Sequence, residues 1–230
     1  MMDGKTGSNF HVVGVSMIQG SIGFRQLTED KDLLHFAEFT SHFIGVDYPL
    51  EYLRRSQVTA MVSQNGAGEV LQVLGGYIIA VEGPFRVIAQ LPPGVVDGHG
   101  DLQARLDKAL ELTGLWIHPV VKGGRTRFKF WWQLFMDVLK ENMKGRSHFV
   151  YSYDADKDKL QQMYSLSRPQ RIYRGPVFIE GMRGESEEIV EIGSTKAVCW
   201  AFMARPICIS RFITKRLFRR KNFLGKVAKA

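Results

Sequence analysis

Cysteine is nearly absent from this 230-residue chain: Cys199 and Cys208 are the only two, too few for a disulfide framework or a metal quartet. A reducing interior is the simplest home, so a cytoplasmic location is expected. Long apolar runs are missing too. None reaches the roughly 18–20 residues that a spanning helix needs. The opening residues carry Lys5 but no compact apolar stretch before a small-residue cleavage site, and do not read as a secretory signal. There is no internal repeat, no G-x-S-x-G elbow and no complete G-x-x-x-x-G-K-S/T P-loop in the Gly4–Ser8 stretch. His11, His35, His42, His99, His118 and His148 show no metal-ligand spacing with acids or cysteines, so no metal is expected. What the chain does have is 45% apolar and 23% charged residues, the balance of an ordinary globular protein rather than a disordered one.

Acid is also absent from one end. From Arg211 onward the chain holds eight cations and no Asp or Glu, which accounts for the whole net charge of +8 and leaves 23 basic and 23 acidic residues in positions 1–210. The body is neutral and the basic character belongs to a tail, so the charge is no nucleic-acid footprint of the whole chain. Residues 207–230 interleave these cations with Ile209, Phe212, Ile213, Leu217, Phe218, Phe223, Leu224 and Val227. That pattern fits a helix packed on the body, a peripheral membrane contact or an acidic partner such as a carrier protein. Nucleic acid is the least favoured partner.

Residues 1–20 read as a loose N-terminal arm, 21–206 as one domain and 207–230 as the basic tail. Within 21–206, alternation predicts strands at Ile22–Leu27, Val58–Ser63 and Val70–Glu82, the last two joined by a turn at Asn65-Gly66-Ala67-Gly68. Gly75-Gly76 marks a bulge or a close backbone approach. Helices are expected from Asp30 through Phe43, from Leu50 to Ser56, and over Asp101–Leu110. A short strand is read at Arg86–Leu91 and another at Leu112–Ile117. After a loop at Pro119–Thr126 a helix runs from Arg127 to Asn142. Phe149–Tyr153, Arg171–Ile179 and Thr195–Met203 read as strands, with Asp156–Ser165 a helix. This order predicts an α/β (α+β) fold: a mixed, mostly antiparallel twisted sheet flanked by helices on both faces.

The most informative stretch is Glu111-Leu112-Thr113-Gly114-Leu115-Trp116-Ile117-His118-Pro119 followed by Val120-Val121-Lys122-Gly123-Gly124-Arg125-Thr126-Arg127 and a long helix. A strand, a Gly-rich basic loop and a helix start make an anion site, because free backbone N–H groups and the positive helix end converge there. The stretch resembles the central motif of the GNAT acyltransferases, an acidic strand "E-L-x-x-L-x-V-x-P" leading to a pyrophosphate loop "R-x-x-G-x-G/A" and a helix. Glu111-Leu112, Leu115, Ile117 and Pro119 match the strand, and Lys122 stands at the first basic position of the loop. Phe149–Tyr153 and the following Asp154–Tyr164 resemble the family's next strand and its helix ending in tyrosine. The two loop glycines of the family fall on Arg125 and Arg127. Either Gly123 and Gly124 replace them in a shifted register, or the arginines grip phosphate directly.

The resemblance implies direct acyl transfer from a pantetheine thioester to an amine, the donor being acyl-CoA or acyl-phosphopantetheine on an acyl carrier protein. A small-molecule amine is the implied acceptor. Glu111 matches the position of the base and Tyr164 that of the acid, with His118 a second candidate base. Trp116, Ile117, Lys122, Gly123, Gly124, Arg125, Thr126 and Arg127 are the implied donor-binding residues. Each has a plainer reading: Glu111 as a strand-edge residue, Tyr164 as a core tyrosine, His118 as a turn residue. Phe128, Phe130, Trp131 and Trp132 read as core, part of which could line an acyl or acceptor pocket. A catalytically degenerate module of the same fold, recruited to an anionic membrane or acidic partner by its tail, is the alternative reading of the whole.

Overall fold

The computed structural model describes residues 18, 20–156, 158–177 and 186–204. The expected basic tail at 207–230, Cys208 and nearly all of the expected arm at 1–20 lie outside them.

Seven strands form one sheet: β1 Ser21–Leu27, β2 Ser56–Gln64, β3 Val70–Ala80, β4 Ala109–Ile117, β5 His148–Asp154, β6 Gln170–Val177 and β7 Ser186–Ser194, in the spatial order β1-β2-β3-β4-β5-β7-β6. Every neighbouring pair is antiparallel except β4 and β5, which run parallel. Helices α1 Asp30–Ile44, α2 Leu50–Arg54, α3 Arg86–Ala89, α4 Leu102–Leu106, α5 Gly124–Met143, α6 Asp158–Tyr164 and α7 Thr195–Ala204 complete the element order. Both faces of the sheet are covered. Leu33 and Phe36 of α1 and Leu53 of α2 pack with Val58, Ala60 and Ile78 on one face. Phe130, Leu134 and Val138 of α5 pack with Leu110, Leu112, Tyr77 and Tyr151 on the other. The sheet thus has the mixed, mostly antiparallel character that the sequence predicts. Among the described residues, no helix is long and apolar enough to cross a membrane.

Four local expectations are corrected. Thr195–Met203 is helix α7, not a strand, and the strand lies just before it at β7. A continuous apolar run suits either period, and Ser194 decides it by accepting the Ala197 N–H on its hydroxyl at 3.3 Å, which opens a helix. β7 is hard to read because Glu188 and Glu191 are buried acids within it. Arg86–Leu91 contains a helical turn, α3, instead of a strand, because the Glu111 carboxylate gathers its first amides. The helix expected through Leu110 stops at Leu106, and Ala109 and Leu110 already belong to β4. Helix α5 begins at Gly124, three residues before the expected start, so its first turn is built from the basic loop.

Gly75-Gly76 satisfies both of its readings. The β2–β3 register shifts beside it, between Met61 and Val62. A Cβ on Gly76 would lie 2.4 Å from the Phe36 ring and 2.6 Å from the Thr59 carbonyl oxygen, so only glycine lets α1 settle on the sheet there.

Candidate functional site

Parallel pairing between β4 and β5 covers only Ala109↔His148, Leu110↔Phe149 and Glu111↔Val150. Beyond Glu111 the two strands separate, although β4 continues to Ile117 and β5 to Asp154. A bulge drives the divergence. Thr113 pairs with Ile78 and Trp116 with Gly76, so Gly114 and Leu115 together oppose Tyr77. Gly114 adopts φ 61°, a left-handed conformation that glycine tolerates best, and a Cβ there would press to 2.7 Å on Ile78 Cδ1. The result is a wedge with β4 on one side and Tyr151 and Tyr153 on the other.

At the open end of the wedge, β4 leads through His118–Val121 into α5. Gly123 is the helix N-cap, with φ −71° and ψ 125°, and no side chain caps the helix. No acid stands in its first turn. Lys122 and Arg125 are exposed, whereas Arg127 turns back and donates from Nε to the Val121 carbonyl at 2.8 Å. Of the three loop cations, two are therefore presented outward and one braces the loop. A Cβ at Gly123 would meet only Thr126 Oγ1, at an ordinary 3.6 Å. Packing among the described residues does not require glycine there. Trp116 does not join the cradle with its side chain. Its indole faces α1, stacked on Phe43 at 4.5 Å between centroids and donating to Thr40 Oγ1 at 2.9 Å. Ile117 packs partly buried on the α5 side of the sheet.

Glu111 sits where the strands part, and it is fully buried. Its two oxygens accept the backbone N–H of Arg86 at 2.7 Å and of Val87 at 3.2 Å. Burial raises its carboxyl above the usual range, against the pull of those two amides, Tyr52 and Arg86. Around it stand groups that no sequence motif marks. Tyr48 shares a 2.7 Å hydrogen bond with Thr113 Oγ1, and the Arg86 guanidinium lies 4.6 Å over the Tyr48 ring. The Tyr52 hydroxyl is buried beside Glu111 without a hydrogen-bond partner of acceptable geometry. No spacing rule links residues 48, 52, 86 and 113; only the fold brings them together.

Tyr164 closes the wedge from the other face. It is buried, stacked on Tyr151 at 3.8 Å and near Tyr153 at 5.7 Å. Burial, then the Tyr153 and Tyr48 phenols, push its hydroxyl well above the ordinary phenol range. His118 lies at the mouth, its ring edge-on to Phe43 at 5.0 Å. Its Nδ1 accepts the Val120 N–H at 3.0 Å, so the neutral ring carries its proton on Nε2 and presents no free basic nitrogen. Burial and neighbouring His42 lower its pKa. A depressed histidine contributes stability that is present above its unfolded pKa and lost as pH falls through the folded value. The Val120 amide should therefore be protected from hydrogen exchange at pH 7.5 and lose protection selectively at pH 5, once intrinsic exchange rates are corrected for. Equal protection at both would show that Nδ1 does not hold the turn.

Neither a family model nor a curated protein matches the sequence. Solved structures do. FeeM, an N-acyl amino acid synthase from uncultured soil microbes, superposes with a TM-score of 0.50 at 12% identity, over 76% of this chain and 93% of its own. Arabidopsis thaliana NAA60, solved with a bisubstrate analogue, gives 0.48 at 13% identity, over 76% and 99%. An IAA acetyltransferase from Bacillus cereus gives 0.43 at 12%, over 76% and 99%.

The chain has the GNAT fold. Within that fold the strands part after Glu111 and α5 starts uncapped at the same end of β4. A separate cavity of about 450 Å³ opens at the other end of β4 and β5, among Phe85, Ile88, Leu106 and Arg146. Among the described residues no group of three or more His, Cys, Asp or Glu side chains could hold a metal ion.

Proposed function

We propose that this chain is an N-acyltransferase that moves an acyl group from a pantetheine thioester to an amine. The observation that carries the reading is the coincidence of two features at one end of the sheet: a parallel strand pair that splays after three residue pairs, and a long helix whose uncapped N-terminus and outward cations point to the same end. A phosphate of the donor would take the free amides of Gly123–Thr126, with Lys122 and Arg125 flanking it. The pantetheine arm would lie in the wedge in place of the missing strand pairing. The residues present fit coenzyme A and carrier-bound phosphopantetheine alike.

In the reaction the neutral amine attacks the thioester carbonyl, a C–N bond forms, the nitrogen gives up one proton to solvent, the C–S bond breaks and the sulfur leaves as thiolate. Tyr164 suits a particular task here. A thiol with an ordinary pKa of about 8.5 is less basic than a phenolate whose pKa is held above 10, so proton transfer from Tyr164 to sulfur runs uphill. Tyr164 therefore donates a hydrogen bond to the leaving sulfur, and solvent supplies the proton. Glu111 is a positioning residue: enclosed and committed to two amides, it fixes Arg86 and the start of α3 beside the acceptor side of the wedge. With His118 Nδ1 also engaged, no described group stands ready as a general base, and the acceptor reacts through its own neutral fraction.

The test is incubation of the purified chain with acetyl-, octanoyl- and palmitoyl-CoA and the matching acyl carrier proteins against a pool of amines, with products read by mass spectrometry. Amide formation with at least one donor is expected, with kcat/KM rising tenfold per pH unit up to the pKa of the amine. A plateau near neutral pH would restore a protein base. No thioester binding and no transfer would leave the degenerate, non-catalytic reading in possession of the fold. Two findings favour that second reading enough to keep it as the stated rival: the enclosed Glu111 carboxylate, and the arginines at the two family glycine positions.

A further inference from the structure

The outer face of α5 and α7 is out of keeping with the rest of the surface. Phe128, Trp132 and Met143 on α5 are 39%, 48% and 73% exposed, and Trp200 and Met203 on α7 are 68% and 61% exposed. Among the described residues the other exposed large apolar side chains, Leu34, Ile44, Val70 and Leu71, are scattered over α1 and β3. The two helices lie side by side and antiparallel. Thr195 Oγ1 at the start of α7 bonds Asn142 near the end of α5 at 2.7 Å, and seven residues along each chain Phe202 stacks on Phe135 at 4.6 Å and 11°. The stack continues through Trp132 to Phe128, at 5.5 and 6.2 Å.

Charge on this face has one sign. The acids of α5, Asp137 and Glu141, are buried, whereas Arg125, Lys129 and Lys140 on α5 and Lys144 at its end are exposed. α7 has no acid and adds exposed Lys196. Lys140 and Lys144 are partly neutralised by Asp137 and Glu141, at 2.9 and 2.6 Å. From the end of α7 the sequence runs on for residues 205–230 with nine more cations and no acid.

We propose that this face docks on an anionic phospholipid surface, with Trp132 and Trp200 as the apolar anchors and the exposed cations of α5 and α7 supplying the attraction. The spread of the apolar residues favours a lipid plane over an acidic protein. Phe128 and Met143 are fifteen residues apart on one helix, about 22 Å, so the far end of the patch is remote from the phosphate cradle where a carrier protein would have to deliver its arm. Exposed aromatics with lysines and arginines and no acid are what an interfacial helix pair requires.

The test uses the full chain with phosphatidylcholine vesicles containing 30% phosphatidylglycerol, against pure phosphatidylcholine, by co-sedimentation at about 100 mM salt. Binding to the anionic vesicles alone is expected. Trp132→Ser/Trp200→Ser should lower the partition at least tenfold with an unchanged melting temperature. Brominated lipid should quench the tryptophan fluorescence of the wild type, and Trp132→Phe and Trp200→Phe should each reduce that quenching, a readout that survives if the double variant fails to fold. Three results would each overturn the proposal: no sedimentation of the wild type, sedimentation that the double variant leaves unchanged with no quenching of Trp132 or Trp200, or loss of carrier-protein binding by the double variant in a chain that ignores vesicles.

Discussion

Glu111→Leu should lower folding stability by about 3–5 kcal/mol and abolish acyl transfer, whereas Glu111→Gln should cost about 1–2 kcal/mol and leave measurable turnover. The leucine removes the acceptor of two interior amides, those of Arg86 and Val87, and each buried N–H left unpaired costs about 1–3 kcal/mol. The glutamine can still accept one of them and turns its own NH2 toward the other, a partial loss. A general base would give a different pattern: the glutamine would be as inactive as the leucine while remaining as stable as wild type. Urea unfolding and a single-turnover assay on the two variants separate these outcomes.

The same residue sets a pH dependence. Burial raises the Glu111 carboxyl, so the folded state holds that proton more tightly than the unfolded one. Its contribution to stability is therefore fully present below the unfolded carboxyl pKa and is lost as pH rises through the folded value. The stability gap between wild type and Glu111→Gln should accordingly narrow as pH climbs from the acid range toward neutrality. A gap that widens would mean that the two amides outweigh burial and hold the carboxyl down.

Much of this architecture is legible in the amino-acid sequence alone. Glu111–Pro119 followed by a basic glycine loop locates both the central strand and the start of α5, because a strand, loop and helix start are contiguous in sequence. The alternation of β1 to β3 and the stripe of α5 place the sheet and a main covering helix. What is not legible depends on contacts across the fold. The wedge is made by a bulge at Gly114, and a lone glycine in a strand does not announce its φ. Tyr48 just before α2, Tyr52 within α2 and Arg86 of α3 meet Glu111 and Thr113 from separate segments of the chain. The commitment of Glu111 to amides from residues 86 and 87 is invisible for the same reason. α7 reads as a strand because an apolar run beside a glycine-serine pair carries no period, and the acids of β7 mask a strand whose interior pairs Glu191 with the Tyr151 hydroxyl at 3.1 Å.

The double variant Lys122→Glu/Arg125→Glu should weaken binding of the acyl donor about 100-fold or more while leaving the melting temperature nearly unchanged. Both side chains are exposed and neither supports the loop, a task that falls to Arg127 through the Val121 carbonyl. Surface substitutions of that kind ordinarily change stability by no more than about 0.5 kcal/mol. The effect on binding is larger because each substitution removes a charge-assisted contact to phosphate, worth about 1.5–3 kcal/mol, and adds a repulsion at the positive end of α5. A combined loss near 3 kcal/mol corresponds to about two decades in affinity. Isothermal titration with acetyl-CoA and with a phosphopantetheine-loaded carrier protein at two salt concentrations would measure it. Loss toward both donors, with a weaker salt dependence in the variant, is expected if the helix start receives the phosphate common to them. An unaltered affinity for both would place the phosphate elsewhere. The Arg127→Ala variant distinguishes gripping from bracing: it should loosen the loop and lower stability by about 1 kcal/mol, with donor affinity falling far less than in the charge-reversed chain.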